Sequence, residues 1–81
     1  MSEFLITLSS IDDVRQFVNA ATRCTCEVDV LSGRYVVDAK SIMGLFSLDL
    51  SQPVKVEVHG SAAERAAFEQ SVAAFEVKPE Q

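Results

Sequence analysis

The run Val54-Lys-Val-Glu-Val-His59, preceded by Pro53 and followed by Gly60, alternates apolar and polar side chains without a break. A period of two puts Val54, Val56 and Val58 on one face and Lys55, Glu57 and His59 on the other, the pattern of a strand covered on one side only. Parallel sheets bury both faces and read as continuous apolar runs, so a one-sided strand belongs to an antiparallel sheet. The remainder of the chain has to provide partner strands and a layer of helices over the valines.

Both are present. Glu3 to Leu8 alternates, with Phe4, Ile6 and Leu8 on one face, and predicts a first strand. Ser9 and Ser10 precede Asp12 and Asp13, so either serine can cap a helix, and Val14, Phe17, Val18 and Ala21 then recur at helical spacing from Ile11 to Thr22. Alternation returns from Thr25 to Leu31, where Cys26, Val28 and Val30 face one way and Glu27 and Asp29 the other. Ser32-Gly33 supplies a turn into a strand from Arg34 to Asp38. Ser41 can cap a short helix through Leu48, in which Gly44 lowers propensity and indicates close packing or a need for backbone freedom. Ser61 and Glu64 form a capping box. Ala63, Ala67, Phe68, Val72 and Phe75 mark the inner side of a last helix ending before Pro79.

The order β-α-β-β-α-β-α predicts an α+β fold, a four-stranded antiparallel sheet with three helices on one face. A chain of 81 residues has room for one core, so residues 1–81 read as a single domain. Nearly half the residues are apolar, which suits a folded domain and not a disordered tail.

Composition also excludes partners. A net charge of -5 with scattered Lys and Arg is unsuited to nucleic acid or an anionic membrane. The chain shows no bilayer-length apolar run and no basic stretch leading into an apolar one, and it reads as cytoplasmic. Cys24 and Cys26, the only cysteines, are separated by one residue, and no disulfide is expected between them. With only His59 as a third ligand, no metal site is expected. No nucleophile–base pair, glycine-rich phosphate cradle or paired-carboxylate arrangement is visible, so the chain is not read as an enzyme and no cofactor is expected.

The run Asp38-Ala-Lys-Ser-Ile-Met-Gly-Leu-Phe-Ser-Leu resembles the regulatory-serine segment of the HPr family, the histidine-containing phosphocarrier proteins of the bacterial phosphotransferase system. The element order is similar to that of the HPr open-faced sandwich, and the resemblance covers about residues 3 to 75. Phosphocarrying members open their first helix with Gly-Leu-His-Ala-Arg-Pro. Here the stretch reads Leu8-Ser-Ser-Ile-Asp-Asp-Val, so the histidine position falls on Ser9 or Ser10 and the family arginine becomes acidic or apolar. A serine phosphoester is too stable to relay, and Asp12 and Asp13 repel an incoming phosphoryl group.

The resemblance implies that Ser41 is phosphorylated by an HPr-type kinase and that Ile42, Met43 and Phe46 form an apolar patch for partner proteins. On its own terms Ser41 is a plain helix cap, and those three can be ordinary core residues, as Leu45 and Leu48 are expected to be. The implied role is regulatory, in sugar transport by the phosphotransferase system or in catabolite control, with phosphotransferase enzymes, HPr kinase or a catabolite-control regulator as partners. Two alternatives stand beside it: a carrier using His59 or a serine near Ser9, and an interaction domain without phosphorylation. His59 reads as a solvent-facing residue at a strand end. Arg15 reads as pairing with Asp12 or staying solvated.

Overall fold

The structure, a computed structural model of the chain, describes residues 3–77. The elements are β1 (Glu3–Ile6), α1 (Ile11–Arg23), β2 (Glu27–Ser32), β3 (Tyr35–Asp38), α2 (Ile42–Phe46), β4 (Val54–His59) and α3 (Ala62–Ser71), followed by a 3₁₀ turn (Ala73–Phe75). The sheet order is β1-β4-β2-β3 and every neighbouring pair is antiparallel. Three helices cover the valine face. No helix among the described residues is long and apolar enough to cross a membrane.

Val54, Val56 and Val58 are buried, with Val28 and Val30 of β2 and Ile6 of β1. Val14, Phe17 and Ala21 of α1, Leu45 of α2, and Phe68 and Val72 of the α3 region close over them. Phe17 and Phe68 meet edge to face, with ring centroids 5.7 Å apart and an interplanar angle of 74°, and so clamp α1 to α3. On the outer face the register sets Glu3 against Glu57, Glu57 against Asp29, and Asp29 against Asp38. A row of four carboxyl groups therefore crosses the whole sheet.

Several boundaries differ from the sequence expectation, each for a local reason. β1 ends at Ile6, because the Thr7 N–H donates to the Phe75 carbonyl and leaves the β4 ladder. Leu8 is still buried, now in a loop. β2 begins at Glu27 and not at Thr25, since the Cys24 N–H donates to the Ala21 carbonyl at the end of α1 and the chain bends before entering the sheet. The β2–β3 loop is Gly33-Arg34, one residue later than expected: Ser32 pairs with Tyr35, and Gly33 sits at φ +60, the conformation glycine supplies in a two-residue hairpin. α2 is five residues long and stops at Phe46, short of Leu48. In α3 only Phe68 is buried, followed by Val72; Ala63 and Ala67 are exposed because α3 lies along the edge of the helical layer. Pro79 lies outside the described residues.

Candidate functional site

At the start of α1, the Ser10 hydroxyl accepts from the Asp13 N–H at 3.1 Å and is the N-cap. Asp13 reaches back, and its Oδ2 accepts from the backbone N–H of Ser9 at 3.1 Å and from the Ser9 hydroxyl at 3.0 Å. The Ser9 amide, then its hydroxyl, hold the Asp13 carboxyl below its ordinary value. Both serines at the aligned histidine position are thus engaged by Asp13, Ser9 by its carboxylate and Ser10 by its backbone N–H. Asp12 accepts from the Gln16 side chain at 2.6 Å, so Gln16, not Arg15, is its partner. A negative group arriving here meets two carboxylates where a phosphate-binding helix end would offer free amides.

At the start of α2 the arrangement is more open. Ser41 is exposed, and its hydroxyl accepts from the Gly44 N–H at 3.1 Å. The preceding turn is tied by Asp38, whose carboxylate accepts from the Lys40 N–H at 2.9 Å and whose carbonyl accepts from the Ser41 N–H. Gly44 has an ordinary backbone, and close approach explains it: a Cβ there would lie 3.2 Å from the Ser41 hydroxyl and 3.3 Å from Val37. Leu45 and Leu48 are buried and anchor the segment. Ile42 is half-buried against the core, Met43 is 78% exposed and Phe46 is 45% exposed.

A groove of about 500 Å³ runs between the start of α1 and the end of α2, and its walls include Ser9, Ser10, Ile11, Phe46 and Leu50. Ile11 is itself largely exposed. The groove adds Ile11 to the apolar surface around α2, a residue that the sequence offered only as the first position of a helix.

His59 faces the opposite side of the molecule. Its Nε2 lies 3.0 Å from an Asp29 carboxylate oxygen and 3.7 Å from one of Glu57. The ligand atoms of Asp29, Glu57 and His59 all fall within 4.8 Å of one another, so these three side chains could hold a cation. Alternation alone puts Glu57 beside His59, but the third member depends on the β2–β4 register, which a single sequence does not carry.

The cysteines, not expected to pair, lie side by side: residues two apart in extended chain share a face, and the two Sγ atoms are 2.9 Å apart. Cys24 is half-buried and Cys26 buried, and both are free thiols. The hydrogen bond with Cys24, then burial, push the Cys26 thiol up to about 11.

Fold and site together define an open-faced α+β sandwich of the phosphocarrier type. Two solved structures are similar over most of the chain. HPr-C-His from Thermoanaerobacter tengcongensis has a TM-score of 0.76 and 26% identity, covering 91% of this chain and 89% of that one. A phosphocarrier protein HPr from Bacillus anthracis str. Ames has a TM-score of 0.68 and 26% identity, covering 90% of this chain and 94% of that one. No curated protein matches the sequence. The family profile described as PTS HPr component phosphorylation site matches residues 14–76. The chain belongs to the HPr family of the phosphotransferase system. The matched region starts at Val14, after Ser9, Ser10 and the two aspartates.

Proposed function

We propose that this HPr-family chain acts in the cytoplasm, as one domain over residues 1–81, in a regulatory role: it binds partner proteins of the sugar phosphotransferase system or its catabolite-control branch through Ser41 and the neighbouring apolar side chains. It does not relay phosphate through the start of α1. The observation that carries this reading is the contrast between the two helix starts. Ser41 is exposed beside Met43 and Phe46, whereas Ser9 and Ser10 are held by Asp13 and no imidazole is near them.

Phosphate on Ser41 adds nearly two negative charges at the first turn of α2, where the Gly44 amide already donates to the serine oxygen. The exposed side chains of Met43 and Phe46 belong to the same five-residue helix, so a partner reading the phosphate with a cationic side chain meets the apolar patch in the same encounter. His59 is a poor alternative acceptor, because its Nε2 is engaged by Asp29 and flanked by Glu57.

Intact-mass spectrometry after two parallel incubations tests the reading: Enzyme I with phosphoenolpyruvate, and an HPr kinase with ATP. The expected product is an acid-stable phosphate on Ser41 from the kinase alone. An acid-labile phosphate on His59, or no phosphate from either donor, would overturn it.

A further inference from the structure

We propose that Cys24 and Cys26 form a thiol modification site, in which a small anionic disulfide of the glutathione type converts the pair reversibly into an intramolecular disulfide. This proposal is independent of the Ser41 reading.

Three features of the structure carry it. The first is proximity: the two Sγ atoms are 2.9 Å apart, so a disulfide bond of about 2.05 Å needs an approach of less than about 1 Å. The second is the way Cys26 is held. A Cβ added at Gly60 would lie 2.8 Å from the Cys26 Cβ and 2.9 Å from its Sγ, which shows that the backbone at the end of β4 is pressed against this side chain. Cys26 therefore has little freedom to turn away from Cys24. The third is access. Cys24, and not Cys26, lines a cavity of about 270 Å³ between α1 and α3, together with Arg23, Thr25 and Glu64. Arg23 gives that mouth a cation for the carboxylates of a glutathione-type molecule, and Phe68 closes its floor.

The division of labour follows from burial. Cys24, reachable from the cavity, attacks as thiolate on one sulfur of the small disulfide. The incoming S–S bond breaks, and one thiolate leaves and takes up a proton. Cys26, buried beside it, then loses its proton and attacks the Cys24 sulfur, breaking the mixed disulfide and releasing the second small thiol. The protein loses two electrons and two protons, and the small disulfide is reduced to two thiols. The raised Cys26 thiol suits the second role: it stays protonated until the mixed disulfide is in place, and its thiolate is then a strong nucleophile.

The test uses the full chain incubated with oxidised glutathione, quenched with acid, freed of small thiols, returned to neutral pH in denaturant with N-ethylmaleimide and weighed intact. The expected wild-type product lacks the mass of two hydrogens, takes no maleimide and returns to the starting mass with dithiothreitol. Cys26→Ser is expected to stop at a single glutathione adduct on Cys24, and Cys24→Ser to lose the reaction. Circular dichroism of both variants checks that they remain folded, and the wild-type result stands without them. Wild type that keeps two maleimide-reactive thiols, or accumulates a stable glutathione adduct, would overturn the proposal. Glutathione on Cys26 in Cys24→Ser, with none on Cys24 in Cys26→Ser, would overturn the order of attack.

Discussion

Replacing Ser41 with alanine removes one hydrogen bond and one phosphorylatable oxygen, and different assays separate the two losses. The bond is the Gly44 N–H donating to the Ser41 hydroxyl at 3.1 Å. It lies at the surface, so the freed amide regains water and the loss is that of a helix cap, about 1 kcal/mol, not that of a buried orphan. α2 stays in place because Leu45 and Leu48 hold it to the core. For a domain of this size 1 kcal/mol corresponds to a melting point lowered by roughly 4–8 °C. Ser41→Asp keeps a capping acceptor, its carboxylate oxygens one bond further out on Cγ, and is expected to melt with the wild type, while both variants lose modification by an HPr kinase. Thermal unfolding followed by circular dichroism, run beside kinase labelling, measures both effects. If alanine and aspartate variants melt together at the wild-type temperature, Ser41 contributes no cap and the energetic reasoning fails.

Further outcomes follow from the rest of the fold. Phe17→Ala, at a fully buried ring, is expected to cost about 3–5 kcal/mol in urea unfolding. A double-mutant cycle of Phe17→Leu with Phe68→Leu should show a coupling of roughly 1 kcal/mol from the edge-to-face contact, and additivity would argue against the clamp. Gly33→Ala meets no atom within 4 Å but must hold φ +60, so it should destabilise by roughly 1–2 kcal/mol from backbone strain alone, with Gly33→Asn milder in the same melt. Glu64 is held below its ordinary 4.5, first by the Ser61 amide and then by the Thr25 hydroxyl. A depressed carboxyl gives stability that is present above the unfolded value and lost as pH falls through the folded one. Asp13 acts in the same direction, and Glu57, raised first by its hydrogen bond with Glu3, acts in the opposite one. Melting temperature should therefore fall on acidification below about pH 4.5, and Glu64→Gln should flatten that fall; an unchanged slope would remove Glu64 from the account.

What was legible in the sequence was what local rules determine. β4 appears with its expected bounds, Val54–His59, because alternation and the flanking Pro53 and Gly60 are all local. The Ser61–Glu64 capping box is present in both of its hydrogen bonds for the same reason. Features that depend on how elements meet were not legible. Period two alone sets Cys24 and Cys26 on one side of an extended segment, but only the turn out of α1 fixes their sulfurs 2.9 Å apart, a distance that spacing does not carry. Ala63 and Ala67 have the spacing of a buried stripe, yet burial depends on what lies opposite: Phe68 meets Phe17 of α1, while Ala67 lines the open cavity between the two helices. At the candidate site, the Ser41 cap and the buried anchors Leu45 and Leu48 were readable from spacing. The groove linking Ile11 and Phe46 was not, since it arises from two helices far apart in the chain.

The carboxyl row across the outer face of the sheet gives the molecule a front and a back. Glu3, Glu57, Asp29 and Asp38 stand side by side in register, a placement that costs some cross-strand stability. Lys55 beside Glu3 offsets part of this charge, and at low ionic strength the remaining negative field reaches outward by about 10 Å and disfavours an anionic surface approaching from that side. If partners dock on the helical side as proposed, this field turns a partner with acidic regions toward that side during encounter. The sheet thus bears on association from the face opposite the proposed docking side.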